Sequence, residues 1–170
     1  MQRGRPPKSE IREKITAILD QLQFSYGYEI YKHYKSLFND ATARVIYYHL
    51  KKGAEIGEFV EVNVKRVMGN YSWGDETERV YYALGPFAKT NQDLFKKAIN
   101  SNLKKRKIDY EWDKEISKKI SELKEEVKKA GSRDKQRLMN KCNKLLEWCK
   151  TKTKSNNHKQ EINAIMSFLK

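Results

Sequence analysis

Apolar residues recur at helical spacing in three stretches of the first 52 residues. The first stretch carries Ile11, Ile15, Ile18, Leu19 and Leu22. The second carries Tyr26, Ile30, Tyr34 and Leu37, and the third runs from Ala41 to Lys52. A stripe that repeats every three to four residues occupies one side of a helix, so the pattern predicts three short amphipathic helices.

A residue that can cap a helix precedes each of these stretches. Ser9 precedes the first, and Ser25 precedes the second, with Phe24 able to pack as a hydrophobic staple. Asn39 and Asp40 precede the third. The caps predict a unit of three helices in which a tight turn joins the second helix to the third.

The period then changes from helical to alternating. Residues 59–67 alternate apolar and polar side chains, as in a half-buried strand, and residues 80–84 supply its natural partner. Residues 69–75, between them, are rich in turn formers. Three helices followed by a long hairpin are the element order of a winged helix-turn-helix.

Helical spacing returns after Gly85-Pro86. One amphipathic helix is predicted around residues 94–99 and a short one at the C-terminus, with apolar positions Ile162, Ile165, Met166 and Leu169. Between them lie two apolar seams: Ile116, Ile120, Leu123 and Val127, then Leu138, Cys142, Leu145 and Cys149. The seams predict two helices that pack as an antiparallel hairpin or against a second copy of the chain.

The predicted fold is mainly α-helical with a small antiparallel β wing. We expect a flexible basic arm over residues 1–8, a winged-helix domain over residues 9–86 and a basic helical segment over residues 87–170. No run approaches the ~20 apolar residues that a membrane-spanning helix needs, and the N-terminus leads into no apolar signal core. Two cysteines seven residues apart on a helix are too distant for a disulfide, which favours a reducing, cytoplasmic location.

Charge changes the picture, because the chain carries 36 Lys and Arg against 22 Asp and Glu, a net +14. Residues 1–90 contribute +3 and residues 91–170 contribute +11. A strongly basic chain without a membrane signal most often meets nucleic acid. The alternative is that the lysines only keep slender helices soluble.

The third predicted helix has a side suited to DNA. With Ile46 and Leu50 directed into the core, the opposite side carries Thr42, Arg44, Tyr48, Lys51 and Lys52. A recognition helix needs donors that reach base edges and cations that pair with phosphates. Arg44 is the candidate for a bidentate guanine contact, and a plain solvated surface is the alternative.

The predicted wing and arm add further candidates. The wing offers Lys65, Arg66 and Arg79, and its tip offers Asn70, Tyr71 and Trp73, although these two rings could instead fold back on the hairpin. Acidic side chains at Asp75, Glu76 and Glu78 oppose DNA contact on part of the wing. In the arm, Arg3-Gly4-Arg5-Pro6, followed by Lys8, resembles the core of an AT-hook, which enters the minor groove of A·T-rich DNA. A disordered basic tail is the alternative.

Three segments together resemble PadR-like transcriptional regulators. Residues 26–31, Tyr-Gly-Tyr-Glu-Ile-Tyr, resemble the signature of the second helix in that family. Residues 45–52 are similar to the recognition helix of prokaryotic winged-helix regulators, and residues 79–84 resemble the closing strand of their wing. Gly53 stands where such helices usually carry Leu, and the wing is longer than usual. The resemblance implies a DNA-binding regulator that dimerises through its C-terminal helices.

The favoured hypothesis is therefore a sequence-specific, non-enzymatic regulator of transcription that binds double-stranded DNA as a homodimer. The predicted dimer residues are Ile116, Ile120, Leu123, Val127, Leu138, Cys142 and Leu145. The expected location is the cytoplasm, in association with the nucleoid. Two alternatives stay open: a chromatin-like architectural DNA-binding protein of low specificity, and a winged helix that docks on another protein. No cofactor or metal is expected, since the three histidines lack ligand spacing and no glycine-rich phosphate loop occurs.

Overall fold

The computed structural model describes residues 9–71, 74–89 and 110–169 of the 170-residue chain. The chain divides into two compact units, residues 1–108 and 109–170. The predicted boundary after residue 86 stays a prediction. The helix predicted around residues 94–99 lies outside the described residues.

In its described residues, the first unit joins three helices to a three-stranded antiparallel sheet. Its elements are α1 (Glu10–Leu22), β1 (Phe24–Tyr26), α2 (Gly27–Leu37), α3 (Ala43–Glu55), β2 (Phe59–Tyr71) and β3 (Gly74–Leu84). The strand order is β1-β3-β2, so the long hairpin of β2 and β3 forms the wing. This arrangement confirms the predicted fold class, a mainly helical chain with a small β wing.

The apolar stripes of the three helices meet in one core that also contains the base of the wing. Its buried members are Ile15, Ile18, Leu19, Leu22, Ile30, Tyr34, Ile46, Leu50, Phe59 and Tyr82. Burial of a side chain of Leu or Ile size contributes roughly 1.5–3 kcal/mol. The core therefore fixes α3 against α1, α2 and the hairpin.

The predicted cap of the first helix is confirmed, whereas the other two caps are wrong. The Ser9 hydroxyl accepts a hydrogen bond from the Arg12 backbone N–H at 3.4 Å. Ser25 instead lies buried in β1, opposite Tyr82 of β3, and its hydroxyl donates to the Glu29 carboxylate. The residue preceding α2 is Tyr26.

Asn39 and Asp40 also have other roles than capping. Helix α3 begins at Ala43, with Thr42 before it, and no side chain caps it. The Asp40 carboxylate instead accepts a hydrogen bond from the buried ammonium of Lys14 on α1. Asn39 adopts a positive φ of 51°, which turns the chain between α2 and α3.

The sheet is larger than the sequence pattern predicts. Tyr71 pairs with Gly74, so both strands continue through most of the predicted turn, and register shifts follow Glu61 and Met68. The short strand β1, which pairs with residues 81–83, was not predicted. Three residues between two helices are too few to display an alternating pattern.

The described part of the second unit, residues 110–169, forms three helices. They are α4 (Trp112–Lys129), α5 (Lys135–Lys152), preceded by a 3-10 turn, and α6 (Asn157–Phe168). Helices α4 and α5 run antiparallel, because Trp112 contacts Trp148 with ring centroids 5.7 Å apart while Glu126 pairs with Lys141 at 2.6 Å. The predicted helical hairpin is therefore present within one chain.

The seams predicted for dimerisation are buried inside this unit. The buried members are Ile116, Ile120, Leu123, Leu138, Cys142 and Leu145, and Val127 is half-buried. Helix α6 covers α4 and α5 with Ile162 and Ile165. The homodimer remains a prediction. The six buried side chains already pack within one chain, so they are not exposed to a second copy.

No helix in the described part of the chain is both long and apolar enough to span a membrane.

Candidate nucleic-acid interface

Helix α3 is amphipathic, and its apolar side faces the core as predicted. Ile46 and Leu50 are fully buried, and Gly53 continues the same side one turn further on. A Cβ at position 53 would lie 2.2 Å from the ring of Phe59, the first residue of β2. Glycine therefore allows the recognition-helix candidate and the base of the wing to approach closely.

The opposite side of α3 is exposed and carries the predicted contact residues. Thr42, Arg44, Tyr48, Lys51 and Lys52 are all exposed, and Tyr48 keeps 64% of its surface. Arg44, Tyr48 and Lys51 follow one another at steps of four and three, which places them on one face of the helix. The structure thus brings these predicted residues together.

The electrostatics of this exposed face are favourable to an anion. The first turn of α3 contains no acidic residue. Lys52 donates to Glu55 at 3.0 Å, which holds the pKa of that carboxyl below its usual value. Because both partners are largely exposed, the pair contributes little stability, and Lys52 can exchange it for a phosphate at small cost.

The beginning of α2 lies beside α3 and adds residues that the sequence analysis missed. A Cβ at Gly27 would lie 2.5 Å from the ring of Tyr47, whose pKa is raised by burial. Tyr28 is half exposed, with the ammonium of Lys32 5.9 Å from its ring centroid. In helix-turn-helix proteins the helix before the recognition helix crosses the DNA backbone. The sequence could have identified Tyr28 and Lys32, because both lie on the polar side of α2, opposite its apolar stripe.

The wing carries its predicted cations on two different faces. Lys65 and Arg79 are paired directly across β2 and β3 and therefore share one face. Arg66 is paired with Glu78, and its Nε lies 3.4 Å from the carboxylate. Asp75, Glu76 and Glu78 are exposed, as required for the expected repulsion of DNA by part of the wing.

Several predicted contact residues lie outside the described part of the chain. These are Arg3, Arg5 and Lys8 of the predicted arm and Trp73 of the predicted wing tip. The backbone of Asn70 belongs to β2, but its side chain and that of Tyr71 are outside the description. The proposed roles of these residues stay predictions.

The side chains of His49, Cys142 and Cys149 pack within the fold and form no reactive site. His49 Nδ1 lies 3.4 Å from the Ser9 hydroxyl, and burial lowers the pKa of this imidazole. Cys142 and Cys149 are fully buried, and burial raises the pKa of both thiols, which disfavours the reactive thiolate. In the described part of the chain, no group of three or more His, Cys, Asp or Glu is arranged to hold a metal ion.

This chain is similar to a solved structure but to no family model and no curated protein. Neither the protein-family models nor the curated proteins contain a match to this chain. Among solved structures, the chain is similar to Bacillus subtilis PadR, whose crystal structure was determined in complex with operator DNA. The two are 14% identical, with a TM-score of 0.37, and the match covers 97% of this chain and 92% of that chain.

Proposed function

We propose that this chain is a sequence-specific regulator of transcription that binds double-stranded DNA and has no enzymatic activity. The observation that carries the proposal is the division of α3 into two sides. One side is fixed in the core by Ile46 and Leu50, and the other presents a cationic and aromatic surface. A rigidly held helix with exposed donors is what major-groove recognition requires.

In the proposed complex α3 lies in the major groove, with its N-terminal half toward the bases. Arg44 donates two hydrogen bonds to guanine, while Lys51 and Lys52 bind phosphates and fix the register of the helix. Lys32 and the hydroxyl of Tyr28 bind the adjacent backbone from α2. The wing contacts the backbone beside the groove, and the arm enters a minor groove at an A·T-rich flank.

Homodimerisation and nucleoid association belong to the same proposal. Two copies would bind two half-sites about one helical turn apart, and the spacing would be set by residues 87–170. Since both apolar seams are buried within one chain, we propose that the dimer surface uses other residues of this segment.

The architectural alternative is supported by the net charge of residues 91–170. In the second unit, however, many lysines already have acidic partners within 3 Å: Lys114, Lys119, Lys124, Lys128, Lys141 and Lys150. Each of these carboxylates offsets one lysine charge, so the second unit attracts a polyanion less strongly than its number of lysines suggests. This pairing favours the regulator over a diffuse DNA coat.

The test is selection of binding sites from random duplex DNA, followed by titration of the selected and scrambled sequences at several salt concentrations. A specific regulator binds the selected site roughly 10³-fold or more tightly than scrambled DNA. A ratio near one with steep salt dependence would indicate the architectural alternative. Absence of salt-dependent binding to any duplex would reject the proposal in favour of a protein-docking module.

Two substitutions on α3 separate base recognition from backbone contact. Arg44→Ala is expected to cost about 1–3 kcal/mol on the selected site and to relax the preference at one base pair. Lys51→Ala, the matched control on the same face, should weaken all sequences similarly and reduce the salt slope by about one. If Arg44→Ala leaves affinity and base preference unchanged, the proposed orientation of α3 is wrong.

A further inference from the structure

Lys65 and Arg79 form a pair of like charges on one face of the wing. The register places them directly opposite each other on β2 and β3. Side chains so paired have Cβ atoms about 5 Å apart, and like charges at this distance are destabilising. The register therefore places two positive charges side by side, and an anion between or above the two side chains would interact favourably with both.

Each of these cations lies over a tyrosine ring. The guanidinium carbon of Arg79 is 4.6 Å from the ring centroid of Tyr26, and the ammonium of Lys65 is 5.8 Å from that of Tyr81. The centroids of these two rings are 5.6 Å apart, because Tyr26 of β1 pairs directly with Tyr81 of β3. A ring within about 6 Å attracts a cation through its π face. The rings thus restrain both cations.

This surface, Tyr26, Lys65, Arg79 and Tyr81, is called the cationic face of the wing below. The positions next to it on the described strands, Asn63, Val67 and Thr77, are uncharged and belong to the same face by alternation. The first acidic side chain beyond Thr77 on this face is Asp75, close to the end of the hairpin.

The other face of the wing has a different charge balance. There Arg66 pairs with Glu78, and the next paired position places Glu76 opposite Met68. These paired positions therefore carry one positive and two negative side chains. A polyanion approaching the wing is attracted by the cationic face and repelled by the other.

We propose that the wing contacts the DNA backbone through the cationic face alone. Lys65 and Arg79 bind phosphate oxygens, and Tyr26 and Tyr81 are positioning residues that hold these cations before DNA arrives. Restraint in the unbound protein reduces the side-chain freedom lost on binding. Arg66, which the sequence alone ranks equally with Lys65, makes no phosphate contact. This inference rests on the proposed function.

The first test measures how the affinity of the full chain for its selected duplex falls with salt, between about 50 and 200 mM. Arg79→Gln and Lys65→Gln should each reduce the salt slope by about one, the value for one lost phosphate contact. Arg66→Gln removes the same charge and serves as the matched control. Its slope should stay at the wild-type value, even though it exposes the Glu78 carboxylate.

The second test addresses the rings. Tyr26→Phe and Tyr81→Phe keep the π face, so their affinities should stay within about twofold of wild type. Tyr26→Leu and Tyr81→Leu remove it, and affinity should fall by about two- to fivefold, as expected for a cation–π contact at an exposed site. Thermal unfolding of each Phe and Leu pair identifies any loss that follows from instability.

Two outcomes would overturn this inference while leaving DNA binding intact. Equal slope changes for Arg66→Gln and Arg79→Gln would show that both faces sense the DNA. A Phe variant as weak as its Leu counterpart at matched stability would show that the ring does not position the cation. If the wild-type chain binds no duplex, the proposed function fails instead.

Discussion

Replacing Gly53 by alanine tests how closely α3 is packed against the wing. The added Cβ would lie 2.2 Å from Cδ2 and 2.4 Å from Cε2 of the Phe59 ring. Carbon atoms in contact are normally about 3.5–4.0 Å apart, so the ring must move by more than about 1 Å. Phe59 is only 1% exposed and belongs to the core of the first unit, so the ring has no open space to enter.

The size of the effect follows from two opposing contributions. Overpacking a well-filled core costs about 1–3 kcal/mol, and a buried ring displaced this far belongs in the upper half of that range. Alanine is favoured over glycine inside a helix by about 1 kcal/mol. The free energy of unfolding of the first unit should therefore fall by about 1–2 kcal/mol.

Gly27→Ala provides the matched control on a second helical glycine. Its Cβ would also collide with an aromatic ring, that of Tyr47 at 2.5 Å, but this ring is partly exposed and can swing outward. We expect little change in stability, with weaker DNA binding because Tyr47 moves at the proposed interface.

Urea unfolding, with hydrogen exchange to distinguish the two units, measures both glycine variants. If Gly53→Ala is as stable as wild type or more stable, the close packing of Phe59 on α3 is refuted. Equal destabilisation by Gly27→Ala and Gly53→Ala would refute the distinction between a buried ring and a movable one.

Three further predictions concern other parts of the chain. The ammonium of Lys14 holds the pKa of Asp40 below its usual value, so the pair stabilises the protein above the ordinary Asp pKa and is lost as pH falls through the lowered one. Because the Asp40 side chain is 47% exposed and screened by solvent, Asp40→Asn should cost no more than about 1 kcal/mol at pH 7. Urea titrations should show this difference vanishing at low pH, and a difference that stays constant with pH would contradict the prediction. Ile120→Glu combined with Leu123→Glu should unfold the second unit while residues 9–85 stay folded, and hydrogen exchange measures both. If the helices of the second unit persist and only the sedimentation coefficient changes, this seam lies between chains instead. Deleting residues 1–8 should weaken binding more on A·T-rich than on G·C-rich flanks, and equal losses in a titration would indicate a plain basic tail.

The sequence predicted the helices well because their signal is local. A stripe such as Ile11, Ile15 and Ile18 fixes both the presence of a helix and the side that is buried, whatever the partner. The same logic correctly directed Ile46 and Leu50 of α3 inward and Arg44 and Tyr48 outward. The recognition-helix candidate was therefore available from the pattern alone.

Capping residues were less predictable because tertiary contacts compete for the same polar groups. Ser25 can cap a helix, but pairing with β3 placed it in a strand. Asp40 can do so as well, but its carboxylate compensates the buried ammonium of Lys14, which sequence proximity does not reveal. Lys14 also pairs with Glu10 at 2.9 Å, and a full positive charge at a buried position attracts the Asp40 carboxylate more strongly than the partial charges of a helix end do, so the tertiary contact prevails.

The sequence by itself determined the order of the three N-terminal helices and the hairpin, the apolar side of each described helix and the uneven charge, but not strand β1. Only the tertiary structure decided which partners these surfaces meet. Strand register separates Arg66, opposite Glu78, from Lys65 and Arg79, and folding of α6 onto the seams buries Ile120 and Leu123 within one chain. The physical reason is that periodicity acts between residues a few positions apart, whereas register and helix packing depend on contacts between residues distant in the chain.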